Sequence, residues 1–429
     1  MAANKSHVQV RFFTKSAYSV PSTPFAVPAD VGTKELSALI NSILQDGSEE
    51  TAHVDFDFLI NGEFLRITLS KHLEAKDLST EETLMVEYMQ RHPSPKPEDT
   101  MLHNDWVSCV RGSNSGILSG CYDNTIHIWT KTGNEMTLRM TFPGHTSPVK
   151  AVEWINTDDT PISTFISGSH DQTILMWSWN SETGTVDCIN VCRGHAGSVD
   201  CLAVNLSKTM FSSGSWDGRL KLWSAELTSN GDVNDEEDES METPKKKKKT
   251  DGKSRQTRVP MLTLEGHTEG VSGMEWLDNS TVCTVSWDHT IRLWDMNEAK
   301  QKSLLPGSKV FLDMSYSKLN CQVLTASADR HVRLWDPRSS EGSVVKCTFT
   351  SHNGWVSSVD WSKENENHFI SGSYDKIMKM WDTRSPKVPL FEMSGHDEKI
   401  LCVDWSLPTL MLSGGADNHL KSFQYNSSS

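Results

Sequence analysis

Short segments in which apolar and polar residues alternate are the dominant pattern along this chain. In the segment from Ser371 to Trp381, small residues lead into a turn at Asp375, and apolar side chains then alternate with polar ones up to the tryptophan. A two-residue period interrupted by tight turns predicts antiparallel strands joined by hairpins. Most of the chain after residue 100 is therefore predicted to be β-structure.

One spacing recurs seven times in this region. An Asp stands six residues before an aromatic residue, a Ser or Thr stands four residues before that Asp, and a His lies upstream of every unit except the fifth, which carries Gly307-Ser308 instead. This signature resembles the WD-repeat, in which about 40 residues form one four-stranded propeller blade. The pairs are Asp123/Trp129, Asp171/Trp177, Asp217/Trp223, Asp288/Trp294, Asp329/Trp335, Asp375/Trp381 and Asp417/Phe423.

The recurring polar residues are interpreted as structural. In WD-repeat proteins such Ser or Thr, His, Asp and Trp residues form a hydrogen-bonded network inside each blade, and buried polar groups need such partners. A catalytic triad occurs once, in one cleft, whereas this set recurs in equivalent places, so an enzyme is not expected. The network residues that we single out are His145, Ser167, Asp171, Trp177, His195, Ser213, Asp217, Trp223, His267, Thr284, Asp288 and Trp294.

The first 92 residues show a different order of elements. An alternating strand begins at His7, a helix with one apolar face covers residues 35–44, two strands flank the hairpin signal Asn61-Gly62, and a last strand runs from Leu84 to Met89. This order is that of a β-grasp, ubiquitin-like fold. The predicted fold class is mainly β: a seven-bladed WD-repeat propeller preceded by a small α+β ubiquitin-like domain. The expected ranges are 6–92 for the ubiquitin-like domain, 93–98 for a linker and 99–425 for the propeller.

The last repeat ends one strand short, at Phe423 to Tyr425. An open sheet edge is a liability in a propeller, so we expect residues of about Glu98 to Leu102 to supply the outer strand of the last blade. Four tryptophans that follow the repeat histidines by nine residues are expected in the inner-strand core and not as base-stacking platforms. They are Trp154, Trp276, Trp361 and Trp405.

The composition indicates in which cellular compartment the protein functions and what class of partner it binds. The chain has 429 residues, a net charge of −15 and nine scattered cysteines without a Cys-x-x-Cys pair. Neither a disulfide framework nor a zinc site is expected, no metal or cofactor is expected in the isolated chain, and no signal or membrane-spanning segment is visible. A reducing compartment, cytosol or nucleus, is predicted. The negative charge favours protein partners over nucleic acid, although local contact with RNA stays open.

A charged insertion is predicted at residues 226–258, between the third and fourth repeats. An acidic block, Asp235 to Glu239, is followed by Pro244 and five lysines, with almost no large apolar residue. Such a segment cannot bury a core and is expected to be disordered. The lysines indicate a nuclear-localisation signal; a solubilising loop or a weak contact with RNA phosphate are the alternatives. They are Lys245, Lys246, Lys247, Lys248 and Lys249.

A ubiquitin-like domain directly before a seven-repeat propeller is rarer than either part alone. Gln9 to Thr14, Phe56 to Arg66, Arg193 to Asp200 and Ser413 to Asp417 resemble the WD-repeat ribosome-biogenesis proteins with a Notchless-like N-terminal domain. Seven repeats favour the PeBoW member over Notchless itself, which is commonly described with eight blades.

The resemblance implies an assembly factor for the large ribosomal subunit. It would join pescadillo and the block-of-proliferation propeller protein in the PeBoW trimer, act on the 60S pre-ribosomal particle and its pre-rRNA, and be a monomer outside this complex. The expected location is the nucleus, in nucleolus and nucleoplasm. The AAA ATPase midasin would then remove the factor by pulling on its ubiquitin-like domain.

The resemblance also implies one partner-binding residue. In the family, a Glu just before the last strand of the ubiquitin-like domain is gripped by the metal site of midasin, and Leu78-Ser-Thr-Glu81 matches that stretch. Glu81 is therefore expected to be the metal ligand supplied to midasin, since hard cations prefer oxygen ligands. The plainer alternative is a solvated surface Glu. A rival reading of the whole chain is a generic propeller scaffold or ubiquitin-ligase adaptor, because fold alone does not determine function.

Overall fold

The computed structural model describes residues 7–15, 17–45, 53–78, 82–133, 135–157, 160–226, 256–338 and 345–426. The N-terminal domain is a five-stranded sheet in the order β2-β1-β5-β3-β4, with β1 parallel to β5 and the other neighbours antiparallel. Its elements are β1 (His7–Phe13), β2 (Phe25–Pro28), α1 (Thr33–Gln45), β3 (Phe56–Ile60), β4 (Glu63–Phe64), α2 (Leu69–Ala75) and β5 (Leu84–Gln90).

Alternation along the strands selects the core of this domain. Val8, Val10 and Phe12 of β1 are buried against Leu36 and Ile40 of α1, while the residues between them in the strand are exposed. The hairpin between β3 and β4 turns at two residues with positive φ, 49° at Asn61 and 79° at Gly62. Positive φ at both central positions is what a two-residue hairpin requires, and Asn-Gly supplies it at low steric cost.

The rest of the chain forms seven sheets, each counted here as one blade. Blade 1 contains β7 (Val107–Ser113), β8 (Gly116–Cys121), β9 (Thr125–Thr132) and β10 (Glu135–Pro143); blade 2 contains β11 (Val149–Asn156), β12 (Ile162–Ser169), β13 (Thr173–Asn180), β14 (Thr185–Arg193) and β18 (Gln256–Arg258); blade 3 contains β15 (Val199–Val204), β16 (Met210–Ser215), β17 (Arg219–Ser224) and β19 (Leu262–Glu265). Blade 4 contains β20 (Val271–Trp276), β21 (Thr281–Ser286), β22 (Thr290–Asp295) and β23 (Lys300–Pro306); blade 5 contains β24 (Phe311–Ser317), β25 (Gln322–Ser327), β26 (Val332–Trp335) and β27 (Val345–Phe349). Blade 6 contains β28 (Val356–Trp361), β29 (His368–Ser373), β30 (Met378–Asp382) and β31 (Phe391–Met393); blade 7 contains β32 (Ile400–Leu407), β33 (Leu410–Gly415), β34 (His419–Gln424) and β6 (Lys96–Leu102).

The blades close into a ring. The first strand of each blade contacts the first strand of the next, and β32 returns to β7. Blade 7 takes its outer strand from the N-terminal side of the propeller, because β6 pairs antiparallel with β34. The expected closing strand is thus confirmed. This strand begins at Lys96, so residues 96–98 belong to the propeller. The expected linker, 93–98, is therefore three residues longer than the observed one.

The predicted fold class is confirmed, with two local corrections. The helix α2 was not predicted, because its seven residues are too few for a helical period to stand out. The end of the expected disordered insertion is ordered: residues 256–258 form β18, which pairs parallel with β14. The four inner-strand tryptophans are buried as expected.

The remaining general expectations bear on covalent and membrane chemistry. No disulfide joins any of the nine cysteines, all of which lie within the described residues. Among the helices of the described residues, none combines the length and the apolar character needed to cross a membrane.

Candidate protein-interaction site

Each of blades 2, 3, 4 and 6 contains a chain of three hydrogen bonds. In blade 3, the Trp223 indole nitrogen lies 2.8 Å from the Ser213 hydroxyl, which lies 2.7 Å from His195 Nε2, and His195 Nδ1 lies 2.9 Å from Asp217. Because a carboxylate only accepts, His195 must donate through Nδ1 and accept from the serine through Nε2. The other three chains are Trp177/Ser167/His145/Asp171, Trp294/Thr284/His267/Asp288 and Trp381/Ser371/His352/Asp375.

Three blades vary this arrangement. In blade 1, His103 Nε2 contacts Ser119 at 2.8 Å, while its Nδ1 lies 3.4 Å from the Met101 carbonyl and makes no bond to the blade's Asp. In blade 5, which lacks the His, Arg333 binds Asp329 through both terminal nitrogens. In blade 7, Phe423 replaces the Trp and has no polar atom to donate.

These contacts lower the pKa of the network carboxylates. Burial alone would raise the pKa of Asp217, but the hydrogen bond from His195 and backbone donors outweigh it and lower the pKa to about 2. Asp375 behaves in the same way with His352, and its pKa is also about 2. The carboxylates are therefore charged acceptors inside the blades, which suits a structural network.

We expect the free energy of unfolding to fall between pH 6.5 and pH 4. Burial, and then the nearby His127, lower the pKa of His103 to about 4 in the folded protein, against 6.5 ordinarily. Between these values the unfolded chain binds a proton that the folded chain does not, which costs roughly 3 kcal/mol at pH 4 for this one group. Below pH 3.8, protonation of Asp217 and Asp375 removes further stability. Urea unfolding at pH 7, 5.5 and 4 measures this, and His103→Gln should flatten the slope; an unchanged slope in that variant would refute the assignment.

One mouth of the central channel carries a rim of aromatic side chains. We call the set Trp106, Tyr122, Trp216, Trp287, Trp355 and Tyr374 the aromatic rim. Its members contact one another in pairs: Trp106 with Tyr122, Trp216 with Trp287, and Trp355 with Tyr374, at centroid distances of 5.3, 5.2 and 5.7 Å. Trp106, Trp216 and Trp355 expose 37%, 45% and 45% of their surface, whereas the tryptophans outside the rim are buried.

Charged side chains are interleaved with the aromatic rim. Lys399 Nζ lies 4.6 Å from the Trp106 ring centroid and 5.0 Å from that of Tyr374, within cation–π range. Lys150 donates to the Tyr122 hydroxyl at 3.3 Å. Burial acts to lower the pKa of Lys150, but Asp200 and Tyr122 raise it above its usual value, so the ammonium stays charged. The rim can therefore offer both flat apolar area and fixed positive charge.

The position of the rim follows from the repeat. Four of its residues directly precede the Asp of a blade turn, and Trp106 and Trp355 directly precede an innermost strand. Both positions lie at the same end of every blade, so aromatic residues there must meet around the channel. Behind the rim the channel has a volume of about 310 Å³. Sequence reasoning missed this site, although an aromatic residue immediately before the repeated Asp was a usable signal.

The residues that the sequence predicts to meet partners are not among those that the structure describes. Glu81 and Lys245 to Lys249 lie outside the described residues. Glu82, the next residue in the chain, is exposed, and Leu78 on the other side packs partly into the domain core. Among the described residues, no group of three or more His, Cys, Asp or Glu is arranged to hold a metal ion.

Comparison with known proteins defines the class. Residues 8–73 match the NLE (NUC135) domain, and seven segments match the WD domain, G-beta repeat. The chain is thus a WD-repeat propeller protein with an NLE domain at its N-terminal side. The repeat matches are 96–130, 136–178, 186–224, 258–295, 300–336, 343–382 and 387–424.

Relatives identify the family. A tick protein, "Ribosome biogenesis protein WDR12 homolog" of Ixodes scapularis, is 51% identical over 98% of this chain and 99% of its own length. Mosquito proteins of the same name, from Aedes aegypti and Anopheles gambiae, are 45% and 46% identical over 98% and 99% of this chain and 96% of their own lengths. The chain belongs to the WDR12 family of ribosome biogenesis proteins, which confirms the predicted resemblance.

Proposed function

We propose that this chain is a non-enzymatic assembly factor of the large ribosomal subunit and the WD-repeat subunit of the PeBoW complex. The observation that carries the proposal is the match of both parts, NLE domain and propeller, to ribosome biogenesis relatives over nearly the full chain. The factor would act on 60S precursors in the nucleolus and nucleoplasm. Affinity purification from dividing cells should recover pescadillo, the block-of-proliferation protein and large-subunit pre-rRNA. Recovery of ubiquitin-ligase subunits in their place would favour the adaptor alternative.

In this proposal the aromatic rim docks a PeBoW partner. Tryptophan and tyrosine are enriched among interface residues that dominate binding energy, because they bury large area with few rotatable bonds. Exposure of three tryptophans at one channel mouth is unusual for a surface that stays in water. The adjacent Lys150 and Lys399 favour a partner segment that presents acidic side chains beside its apolar ones.

Trp355→Ala is expected to weaken assembly with the two PeBoW partners by 30-fold or more, about 2 kcal/mol, as typical for a tryptophan at an interface centre. Pull-down and titration with purified partners measure the affinity. Leu304→Ala, which removes an exposed apolar side chain from the outer strand β23, is the matched control and should bind normally. Equal affinity of Trp355→Ala and wild type would exclude the rim as the docking surface.

The same proposal assigns the ubiquitin-like domain to midasin. Glu81 would complete the coordination of a divalent cation held by that ATPase, and its pull would remove the factor from the precursor. The placement of the described neighbours supports this role, because Leu78 packs partly against the domain core while Glu82 is exposed just before β5.

Replacing Lys245 to Lys249 by Gln is expected to reduce nuclear accumulation without changing thermal unfolding. A run of lysines after Pro244 provides the charge that import receptors recognise, whereas charges in a segment with almost no large apolar residue contribute little to folding stability. Fluorescence microscopy and thermal scans measure the two effects. An unchanged nuclear signal, in cells where the PeBoW partners are depleted to prevent import as a complex, would refute the localisation signal.

A further inference from the structure

The ubiquitin-like domain lies against the last two blades of the propeller. Phe56, Phe58 and Ile60 of β3 face the domain's own core, whereas the intervening Leu59 is buried among propeller residues. Phe64 and Met89 are buried in the same inter-domain cluster. The propeller therefore covers part of the sheet face that α1 leaves open. Its contribution to the cluster comes from Ile370, Met378, Met380, Leu390, Met393, Ile400, Val403, Trp405, Met411, Phe423 and Tyr425.

Polar contacts surround this apolar cluster. The segment of blade 6 between β30 and β31, residues 383–390, supplies three such contacts. Lys387 lies 2.9 Å from Glu63, and Arg384 lies 3.7 Å from Glu87. Arg66 donates to the Leu390 carbonyl at 3.2 Å. The ubiquitin-like domain is thus held on the propeller by charge pairs as well as by buried apolar area.

The link between the domains is short, and its residues contact both domains. Only residues 91–95 separate β5 from β6. The Arg91 amide donates to the Asp55 carbonyl at 2.8 Å, which fixes the start of the link to the ubiquitin-like domain. The His92 ring packs edge-on against His368 of blade 6 at 4.6 Å, and its Nδ1 lies 3.2 Å from the Tyr425 hydroxyl. The link is therefore part of the inter-domain contact.

The closing strand that follows buries little side-chain area of its own, although Glu98 pairs with Lys131 at 2.5 Å and Asp99 accepts from the Met136 amide at 2.7 Å. Among the seven residues of β6 only Met101 is buried, and Leu102 is 68% exposed. Pro97 has no amide hydrogen to give to the ladder, and the register with β34 shifts between Lys421 and Phe423. A strand with few buried contacts and exposed hydrogen bonds belongs to the low-stability end of a fold.

We propose that docking of the ubiquitin-like domain locks the closing strand of the propeller, so that undocking opens the outer edge of blade 7. The link joins β6 at its first residue, Lys96. A released domain would therefore pull on the first hydrogen bonds between β6 and β34, and the ladder would open from that end one bond at a time. While docked, the domain anchors that end through His92 and the blade 6 contacts. That the domain is pulled during release rests on the proposed function. In that case the force would act on the contacts of the 383–390 segment as well as on the pairing of β6 with β34.

Met89→Asp in the full-length chain tests the lock, because it puts a charge into the inter-domain cluster but not into the domain's own core. Met85→Asp is the matched control: it lies on the same strand, where the side chain is 45% exposed. The ring of His92, whose pKa is lowered to about 4 by burial and then by His368, reports docking by NMR titration. Hydrogen exchange of the 96–102 and 419–424 peptides reports the closing strand.

Undocking should raise the pKa of His92 toward 6.5 and speed hydrogen exchange in both peptides at least tenfold. The exchange rate of β21 in blade 4, which is remote from the contact, should not change. The Met85→Asp control should leave both readouts at wild-type values. If His92 titrates near 6.5 while the 96–102 peptide keeps wild-type protection, the lock is refuted. Should Met89→Asp unfold the domain, seen as lost protection of β1, the propeller-side variant Leu390→Asp replaces it with the same two outcomes. No ATPase is present, so the result is independent of the midasin proposal.

Discussion

Glu81→Ala is expected to abolish binding of this chain to the metal-site domain of midasin while leaving the fold and PeBoW assembly intact. Removing the carboxylate deletes a proposed metal ligand outright, and we expect at least about 100-fold weaker binding, since even indirect changes at metal sites cost 10 to 100-fold. Glu81→Asp should fail almost as fully, because it withdraws the oxygen by roughly 1.5 Å against a tolerance of about 0.2 Å in metal–ligand distances. Titration of purified protein with the metal-site domain, in Mg²⁺ and in a chelator, measures the loss.

Glu82→Ala is the matched control for this experiment. It removes the same charge one residue along the chain, from an exposed position, and should bind almost normally. In cells, Glu81→Ala should remain on large-subunit precursors and act dominantly, because a docked copy that cannot be removed occupies the site. Wild-type affinity of Glu81→Ala would exclude this residue, and a loss confined to Glu82→Ala would move the role to its neighbour.

Local chemistry that repeats along the chain made the fold predictable. The spacing from Ser213 to Asp217 to Trp223 recurs because the polar groups buried in each blade need hydrogen-bond partners, and the same network supplies them. The hairpin at Asn61-Gly62 was equally clear, since few residues other than these adopt positive φ twice in succession. Features set by residues close together in sequence could thus be inferred from the chain alone.

Features set by distant residues could not be inferred in this way. The aromatic rim joins Trp106 to Lys399, and the inter-domain contact joins Glu63 to Lys387, across most of the chain. The pairing of β18 with blade 2 also joins segments separated by a charged insertion. No periodic pattern marks such contacts, because each depends on how whole blades are placed around the ring. The repeat spacing predicts blades, but not which surfaces are left for partners.

The second large effect concerns the closing strand. Removing residues 1–102 is expected to lower the apparent Tm of the propeller by about 5–10 °C relative to removing residues 1–92, or roughly 3 to 5 kcal/mol. Both truncations lack the ubiquitin-like domain, so the difference between them measures what β6 contributes when the domain is absent. Only the longer one removes β6, which leaves the edge of β34 open and uncovers Leu420, now buried in one cluster with Met101.

Thermal scans at one heating rate measure this difference. Hydrogen exchange of the 419–424 peptide in blade 7 then shows whether the loss of stability is local to that blade or global. Met101 is the one β6 side chain buried in the cluster shared by blades 7 and 1, so Met101→Asp within the shorter truncation should reproduce much of the loss. Thr100→Asp, placed on the neighbouring position of the same strand, should not. If the two truncations melt at the same temperature, β6 does not close the ring, and the contacts of β32 and β33 with β7 must hold blade 7 against blade 1.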